Sequence, residues 1–342
     1  MRRIGNLWSK IIDIENIRHA FKNAAKHKSK QKAVIRTRAN LEERLEALRL
    51  SLVNKTFTTS KYTKKIIYEP KQRTIYKLPF DSDRIAHHTL MRVIIPEWDK
   101  RFIYDSFACR EGKGTIAGSN RTMEFVRRNK YVLKCDISKF YPSVDHDILF
   151  EIVKRKIKCP DTLWLMEDII RSFPGGKNVP IGNYTSQWFG NLYMNEVDQF
   201  VMHTLQAKYG HIDFIRYCDD FCFFSNSKKI LNNCREETGE FIDTKLKLSF
   251  SKCDIFPVSQ GVDYLGYRHF DNYVLLRKRT TKTVKKRLAN LPGRYEKKKI
   301  TAEQYRSSVA STWGWLKHAN THNLQVAIQL QELKKRVGEL NE

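Results

Sequence analysis

No segment of this 342-residue chain approaches a membrane-spanning apolar run, and its basic opening, Met1-Arg2-Arg3-Ile4-Gly5-Asn6-Leu7-Trp8, lacks the continuous hydrophobic stretch of an export signal. A cytoplasmic protein with no membrane contact is expected. The seven cysteines are odd in number, with no Cys-x-x-Cys pair and no histidines at finger spacing. That argues against a disulfide framework and against structural zinc. Cys218 and Cys222 read instead as small buried hydrophobes. Gly112, Gly114 and Gly118 lack the Gly-Lys-Ser/Thr ending of a phosphate loop, so this segment reads as a turn. No internal repeat is evident. Acidic residues are scarce relative to basic ones, 37 Asp and Glu against 63 Lys and Arg, for a net charge of +26. A field of that size attracts a polyanion and releases its counterions, which makes nucleic acid the leading partner. The basic residues recur at Lys26 to Lys30, Lys61 to Lys77, Arg127 and Arg128, Lys154 to Lys158, and Lys278 to Lys299. Such a distribution fits a charged cleft better than a disordered arm.

What is present is enough apolar content, 41%, for a substantial core. Residues 7 to 54 carry helical periodicity, with Leu41, Leu45, Leu48 and Leu52 at three- and four-residue steps and Asn40 placed as an N-cap. A β-rich, lysine-rich stretch follows from Tyr62 to Leu78, and Asp81-Ser82-Asp83 is placed to cap a helix running towards Trp98. Tyr131 to Cys135 reads as a strand ending at Asp136. Helices are expected over Asp145–Lys158, Thr185–Ala207 and Lys229–Leu246. Tyr264–Phe270 and Tyr273–Leu276 straddle Asp271-Asn272, a good hairpin turn, and the chain becomes helical and basic after Arg279. The order predicts an α+β core followed by a helical appendage.

The chemistry gathers at Tyr217-Cys218-Asp219-Asp220. Ile212 to Tyr217 before the acidic pair and Phe221 to Ser225 after it are rich in aromatic and branched residues, so both read as strands with the pair at a hairpin tip. At a tight turn two adjacent carboxylates can approach one cation, whereas within a regular strand they point to opposite faces. Asp136 supplies a further carboxylate at the end of its own strand. Carboxylates on neighbouring strands can hold two divalent ions about 3.5–4 Å apart, which suits phosphoryl transfer to a hydroxyl. Magnesium is the natural ion, because it keeps open positions for phosphate oxygens, with manganese a substitute.

These residues resemble the reverse transcriptase family. Asp136 with Phe140-Tyr141 looks like motif A, Tyr217-Cys218-Asp219-Asp220 matches the Y-x-D-D form of motif C, and Leu248-Ser249-Phe250-Ser251-Lys252 resembles motif D. Val262 to Tyr267 resembles the primer-grip hairpin, and Arg73 with Asp83-Arg84-Ile85 the fingers motifs, in the family's order from about Lys61 to Phe270. The resemblance implies a right-hand polymerase: an N-terminal helical extension over 1–60, fingers over 61–128 with part of 160–185, a palm over 129–278 and a helical thumb over 279–342. It implies catalytic Asp136, Asp219 and Asp220, metal ligation by Asp136, Asp219 and Asp220 with the Ile137 carbonyl, and Lys252 as the group that protonates pyrophosphate. Lys71 and Arg73 would hold the incoming dNTP, and Tyr141 would exclude a ribose 2′-hydroxyl.

The segment Val179-Pro180-Ile181-Gly182-Asn183-Tyr184-Thr185-Ser186-Gln187 departs from the common motif B, in which Gln-Gly stands where this chain has Ile181-Gly182. Pro-Ile-Gly-Asn-x-Thr-Ser-Gln resembles the reverse transcriptases of diversity-generating retroelements, within the group II intron-like bacterial enzymes. That resemblance implies copying of a template-repeat RNA with errors opposite adenine, an RNA/cDNA duplex as product complex, and a small basic accessory variability protein as partner. Ile181, Gly182 and Gln187 then join the nucleotide-binding set. The alternatives are a bacterial defence or group II-like reverse transcriptase without a mutagenic role, which Ile181 and Ser186-Gln187 disfavour, and a catalytically silent RNA-binding scaffold. The presence of Asp136, Asp219 and Asp220 disfavours the scaffold.

Overall fold

The computed structural model describes residues 3–68 and 72–339. The N-terminal helices are α1 (Trp8–Ile11), α2 (Ile14–Ala25), α3 (Lys32–Ala39) and α4 (Leu41–Val53), followed by a hairpin of β1 (Thr63–Ile67) and β2 (Arg73–Lys77) and by α5 (Ile85–Asp99) and α6 (Thr115–Arg128). Then come β3 (Tyr131–Ile137), α7 (Phe140–Ser143), α8 (His146–Lys156), α9 (Pro160–Arg171), α10 (Tyr184–Phe200) and α11 (Gln206–Tyr209). The next elements are β4 (Asp213–Tyr217), β5 (Asp220–Ser225), α12 (Lys228–Leu246), β6 (Phe250–Pro257), β7 (Val262–Tyr264), β8 (Tyr267–His269) and β9 (Val274–Leu276). Helices α13 (Lys278–Ala289), α14 (Leu291–Glu296), α15 (Ala302–Leu316), α16 (His322–Ala327) and α17 (Leu330–Glu339) close the described chain. The fold is α+β, as the element order predicts.

A four-stranded antiparallel sheet in the order β4-β5-β3-β6 forms the centre. Phe221, Cys222, Phe223 and Phe224 of β5 are all buried, so this strand reads as a continuous apolar run rather than an alternating one. Both of its faces are covered. On one face Leu133, Cys135, Phe221 and Phe223 join α8, α10, α12 and the N-terminal helices in one large cluster. On the other, Val132, Cys222 and Phe224 pack with Phe125 and Val126 of α6 and Tyr264 of β7. A third cluster joins Tyr267 and Leu276 of the small β7-β8-β9 sheet to the C-terminal helices. Among the described residues no helix is long and apolar enough to cross a membrane.

Three local expectations need correction. Asn40 precedes α4 as expected, but its side chain makes no capping bond, at φ −126° and ψ 51°. Asp81 to Asp83 cap nothing: the chain kinks there, with Ser82 at φ 58°, and α5 starts at Ile85 without a side-chain cap. Asp83 is buried and accepts instead from the Ser60 amide at 2.7 Å and hydroxyl at 2.8 Å, while Asp81 pairs with Arg44. Gly112 and Gly114 do form a turn, at φ 68° and 106°, but Gly118 lies inside α6. A side chain at Gly118 would meet Leu265 Cδ1 at 2.5 Å and Phe107 Cγ at 3.3 Å, so this glycine lets α6 close onto the β7–β8 turn. Gly118→Val should therefore overpack the second cluster and cost about 1–3 kcal/mol. Urea unfolding measures it, and an unchanged midpoint would contradict the close approach.

Candidate active site

The hairpin of β4 and β5 pairs Tyr217 with Asp220, leaving Cys218 and Asp219 as the turn. Cys218 has φ 60°, a conformation that a non-glycine residue adopts at a cost. Three contacts hold the turn in place. Arg216 Nη1 donates to the Cys218 carbonyl at 2.9 Å, the Tyr141 hydroxyl lies 3.3 Å from Cys218 Sγ, and Tyr264 Oη donates to the Asp220 carbonyl at 2.8 Å. Arg216 is fully buried, as is its partner Asp198 on α10, and the pair is bidentate with both N–O distances 2.6 Å. Its remaining donors reach Asn191 Oδ1 at 3.2 Å and Ser106 Oγ at 3.1 Å. Burial opposes the guanidinium charge, but Asp198 outweighs it and the pKa of Arg216 is raised.

On the neighbouring strand Asp136 stands directly opposite Asp220 across β3 and β5. The β3–β6 ladder shifts register between Asp136 and Ile137, so Ser251 is the extra residue of a bulge. Bulges re-aim side chains, and here the Ser251 hydroxyl donates to Asp136 Oδ2 at 2.6 Å. Burial, with the like charge of Asp136 and Asp219 against relief from Lys134 and Arg277, pushes Asp220 up to about 7. Asp219 is also raised, first by burial and then by Asp136. Lys134 Nζ is 4.0 Å from Asp220 Oδ2 and donates to the Asp263 carbonyl at 2.7 Å. Asp220 Oδ1 is buried with no hydrogen-bond partner. An orphaned acceptor among mutually repelling carboxylates fits a divalent cation bound by oxygen ligands. Among the described residues, however, the side chains as they stand do not close into a three-ligand cluster.

Beside the carboxylates lies a cavity of about 420 Å³ lined by Arg73, Tyr141, Ile181, Gly182 and Gln187, all expected nucleotide-binding residues. Lys28, Arg84, His88 and Tyr184 form its remaining principal walls. Arg73 connects the cavity to the turn, since its charge acts on Asp219. Tyr141 lies against α10 where Gly190 leaves room, a Cβ there meeting its ring at 3.3 Å. The Pro-Ile-Gly-Asn-x-Thr-Ser-Gln segment has a mechanical logic of its own. The Ile181 carbonyl accepts from the Tyr76 amide at 2.9 Å, and Gly182, at φ 123°, passes so close to β2 that a Cβ would sit 2.5 Å from the Tyr76 carbonyl oxygen. Asn183 donates to Tyr62 Oη at 3.1 Å, Thr185 contacts His87 Nδ1 at 3.2 Å, and Ser186 donates to the Pro180 carbonyl at 2.7 Å. The loop thereby docks the β1–β2 hairpin onto α10.

Not every expected residue joins this assembly. Lys252 pairs with Asp136 in register on β6 but is exposed and does not line the cavity. Ile137 is the buried last residue of β3, and Lys71 lies outside the described residues. Sequence reasoning missed Arg216, Asp198 and Ser251 as supports of the site. The signal for Arg216 was a charged residue inside an aromatic, branched strand. Arg216→Met should leave Asp198 buried and unpaired and cost roughly 3–5 kcal/mol, with part recovered by adding Asp198→Leu. Equal losses in the single and double variants, read by urea unfolding, would contradict the pairing.

Comparison with known proteins finds related sequences. A family profile described as Reverse transcriptase (RNA-dependent DNA polymerase) matches residues 69–269. The chain is 23% identical to Protein YkfC of Escherichia coli strain K12 over 261 residues, covering 63% of this chain and 67% of that protein. It is 27% identical to the Retron Ec73 reverse transcriptase of Escherichia coli over 205 residues, covering 55% of this chain and 61% of that enzyme. It thus spans about two thirds of the length of one relative and somewhat less of the other. The profile takes in β2, both acidic strands and the chain as far as β8, but not β1, and on that match the chain belongs to the reverse transcriptase family.

Proposed function

We propose that this reverse transcriptase copies a template-repeat RNA into cDNA with adenine-directed low fidelity, as part of a diversity-generating retroelement. The observation that carries this reading is Ile181, which lines the cavity beside Arg73 and Tyr141. A glutamine there could hydrogen-bond near the nascent base pair, whereas isoleucine offers only a branched apolar surface, so a contact that discriminates geometry is lost. The main-chain role of Ile181 is independent of its side chain, since the bond from the Tyr76 amide uses only the carbonyl.

In this reading Asp136 and Asp219, with the Ile137 carbonyl, hold two magnesium ions, and Asp220 supports them; manganese is a substitute. Bound ions supply Lewis-acid activation of the primer hydroxyl and charge neutralisation at the phosphates. Ser251 orients Asp136, and Arg216 fixes the turn that carries Asp219. Arg73, with Lys71, binds the triphosphate, a task that suits the planar guanidinium fork. Tyr141 is the wall against a 2′-hydroxyl, and Lys252 donates a proton to pyrophosphate. The helices after Arg277 track the RNA/cDNA duplex through phosphate contacts. A small basic accessory protein is the expected partner; against a +26 chain it binds with RNA between them or at an acidic patch such as Glu42-Glu43.

A second reading, faithful cDNA synthesis without mutagenesis, is favoured by the 27% identity to the retron enzyme. Sequencing cDNA made on an adenine-containing RNA separates the two. The mutagenic reading predicts errors concentrated opposite adenine that fall roughly five- to tenfold in Ile181→Gln; an error spectrum indifferent to this substitution would overturn the role given to Ile181. Tyr141→Ala should lower dNTP over NTP selectivity by about tenfold or more, measured as the ratio of kcat/KM values. Unchanged selectivity would remove Tyr141 from the sugar-discriminating role.

A further inference from the structure

Two cysteines with no part in the chemistry described above lie beside it in the sheet. Cys135 of β3 and Cys253 of β6 stand opposite each other in register, and their Sγ atoms are 3.1 Å apart. The phase of the ladder accounts for the approach. Just beyond the strand ends the Val258 amide donates to the Lys130 carbonyl at 3.0 Å, which makes Lys130 and Val258 a hydrogen-bonded pair. The two kinds of pair alternate along antiparallel strands, so Cys135 and Cys253 form a non-hydrogen-bonded pair, the kind whose Cα atoms come within about 4.5 Å. A disulfide spans that separation, so the bond can close without rebuilding the backbone.

The two thiols differ in access. Cys135 is fully buried, whereas Cys253 is half-buried on β6, an edge strand of the central sheet, so a small oxidant meets Cys253 first. Both thiols pack into the large helical cluster, on the face of the sheet opposite to the side chain of Asp136. Along the chain, however, they flank the acidic centre. Asp136 directly follows Cys135, and Ser251, whose hydroxyl donates to Asp136 Oδ2 at 2.6 Å, lies two residues before Cys253.

We propose that Cys135 and Cys253 are an oxidation site, a dithiol that a peroxide converts into a disulfide, and that this bond slows copying by tying β3 to β6 beside the bulge that aims Asp136. Cys253 Sγ attacks a peroxide oxygen and the O–O bond breaks, giving a sulfenic acid and a hydroxide that leaves with the thiol proton as water. Cys135 Sγ then attacks the sulfenic sulfur; the S–S bond forms, the S–O bond breaks, and hydroxide leaves with the second thiol proton as water. The two thiols lose two electrons and two protons, and the peroxide is reduced to two waters. Closure brings the sulfurs to about 2.05 Å, a movement of roughly 1 Å next to the Ser251–Asp136 bond. In a reducing compartment such a bond is transient, as a regulatory disulfide must be. The effect on copying rests on the reading in which Asp136 holds a metal ion; the formation of the bond does not.

The test treats the full chain with stoichiometric hydrogen peroxide and removes the excess with catalase. Under non-reducing conditions a tryptic digest of wild type should contain the peptide Cys135–Lys139 joined to Cys253–Arg268, and the unfolded protein should show two fewer reactive thiols than the seven of the reduced chain. Primer extension on RNA should slow by about tenfold or more and recover with dithiothreitol. Cys253→Ser and Cys253→Ala, at a half-buried edge position, should extend primers like reduced wild type and keep that rate after peroxide. Absence of the joined peptide from oxidised wild type would overturn the proposal. So would equal peroxide inhibition of the Cys253 variants, or a disulfide that leaves the rate unchanged. Reduced wild type that extends no primer would instead sink the copying reading, with the joined peptide still deciding whether the oxidation site exists.

Discussion

The opposition of Asp136 and Asp220 across β3 and β5 is the constraint on which the rest of the structure depends. Like charges directly opposite each other destabilise a sheet, so this register must be imposed from elsewhere. It is imposed by burial. A slip of one residue would turn the Phe221 and Phe223 face and the Cys222 and Phe224 face inside out, and both faces are packed. What remains of the repulsion is partly relieved by the charges of Lys134 and Arg277 nearby, while Asp220 Oδ1 stays buried without a hydrogen-bond partner. The acidic centre is thus held together by apolar packing rather than by its own interactions.

The same division of labour appears at the turn and at the loop before α10. Arg216 pairs its charge with Asp198, donates to the Cys218 carbonyl of the turn and gives its other bonds to Asn191 and Ser106, so a left-handed Cys218 is held by a buried network anchored in α10. Along Pro180 to Ser186 the main chain and small polar groups do the docking, through Tyr76, Tyr62, His87 and Pro180. The Ile181 side chain is left to face the cavity. A residue whose structural duty is carried by its carbonyl can differ in side chain without disturbing the docking of the loop.

Much of this was legible in the sequence, and the reasons are local. Strands β3, β4 and β5 announce themselves by dense aromatic and branched residues, and the acidic pair between two such runs has little structural purpose. Helix α9 was not anticipated as an element, although Pro160 at its first position and Leu165, Met166, Ile169 and Ile170 at helical spacing mark it. Asp81 and Asp83 look like helix caps because cap chemistry is local, but Arg44 and Ser60, distant in sequence, claim them first. Gly118 looks like a loop glycine because the demand for it comes from Leu265 and Phe107, not from its own backbone. The candidate site could be anticipated where residue type and chemistry coincide, at Asp136, Asp219 and Asp220, which the fold brings to neighbouring strands and the turn between them. Its supports could not, because Arg216, Asp198 and Ser251 matter through partners that only the folded chain brings near.

The central claim is that the paired acidic strands are the chemical centre of a polymerase. Its most direct measurement is primer extension on an RNA template in the presence of magnesium by Asp219→Asn, with urea unfolding of the same preparation to establish that it folds. The account predicts a folded protein that extends no primer, whereas extension equal to wild type would contradict it.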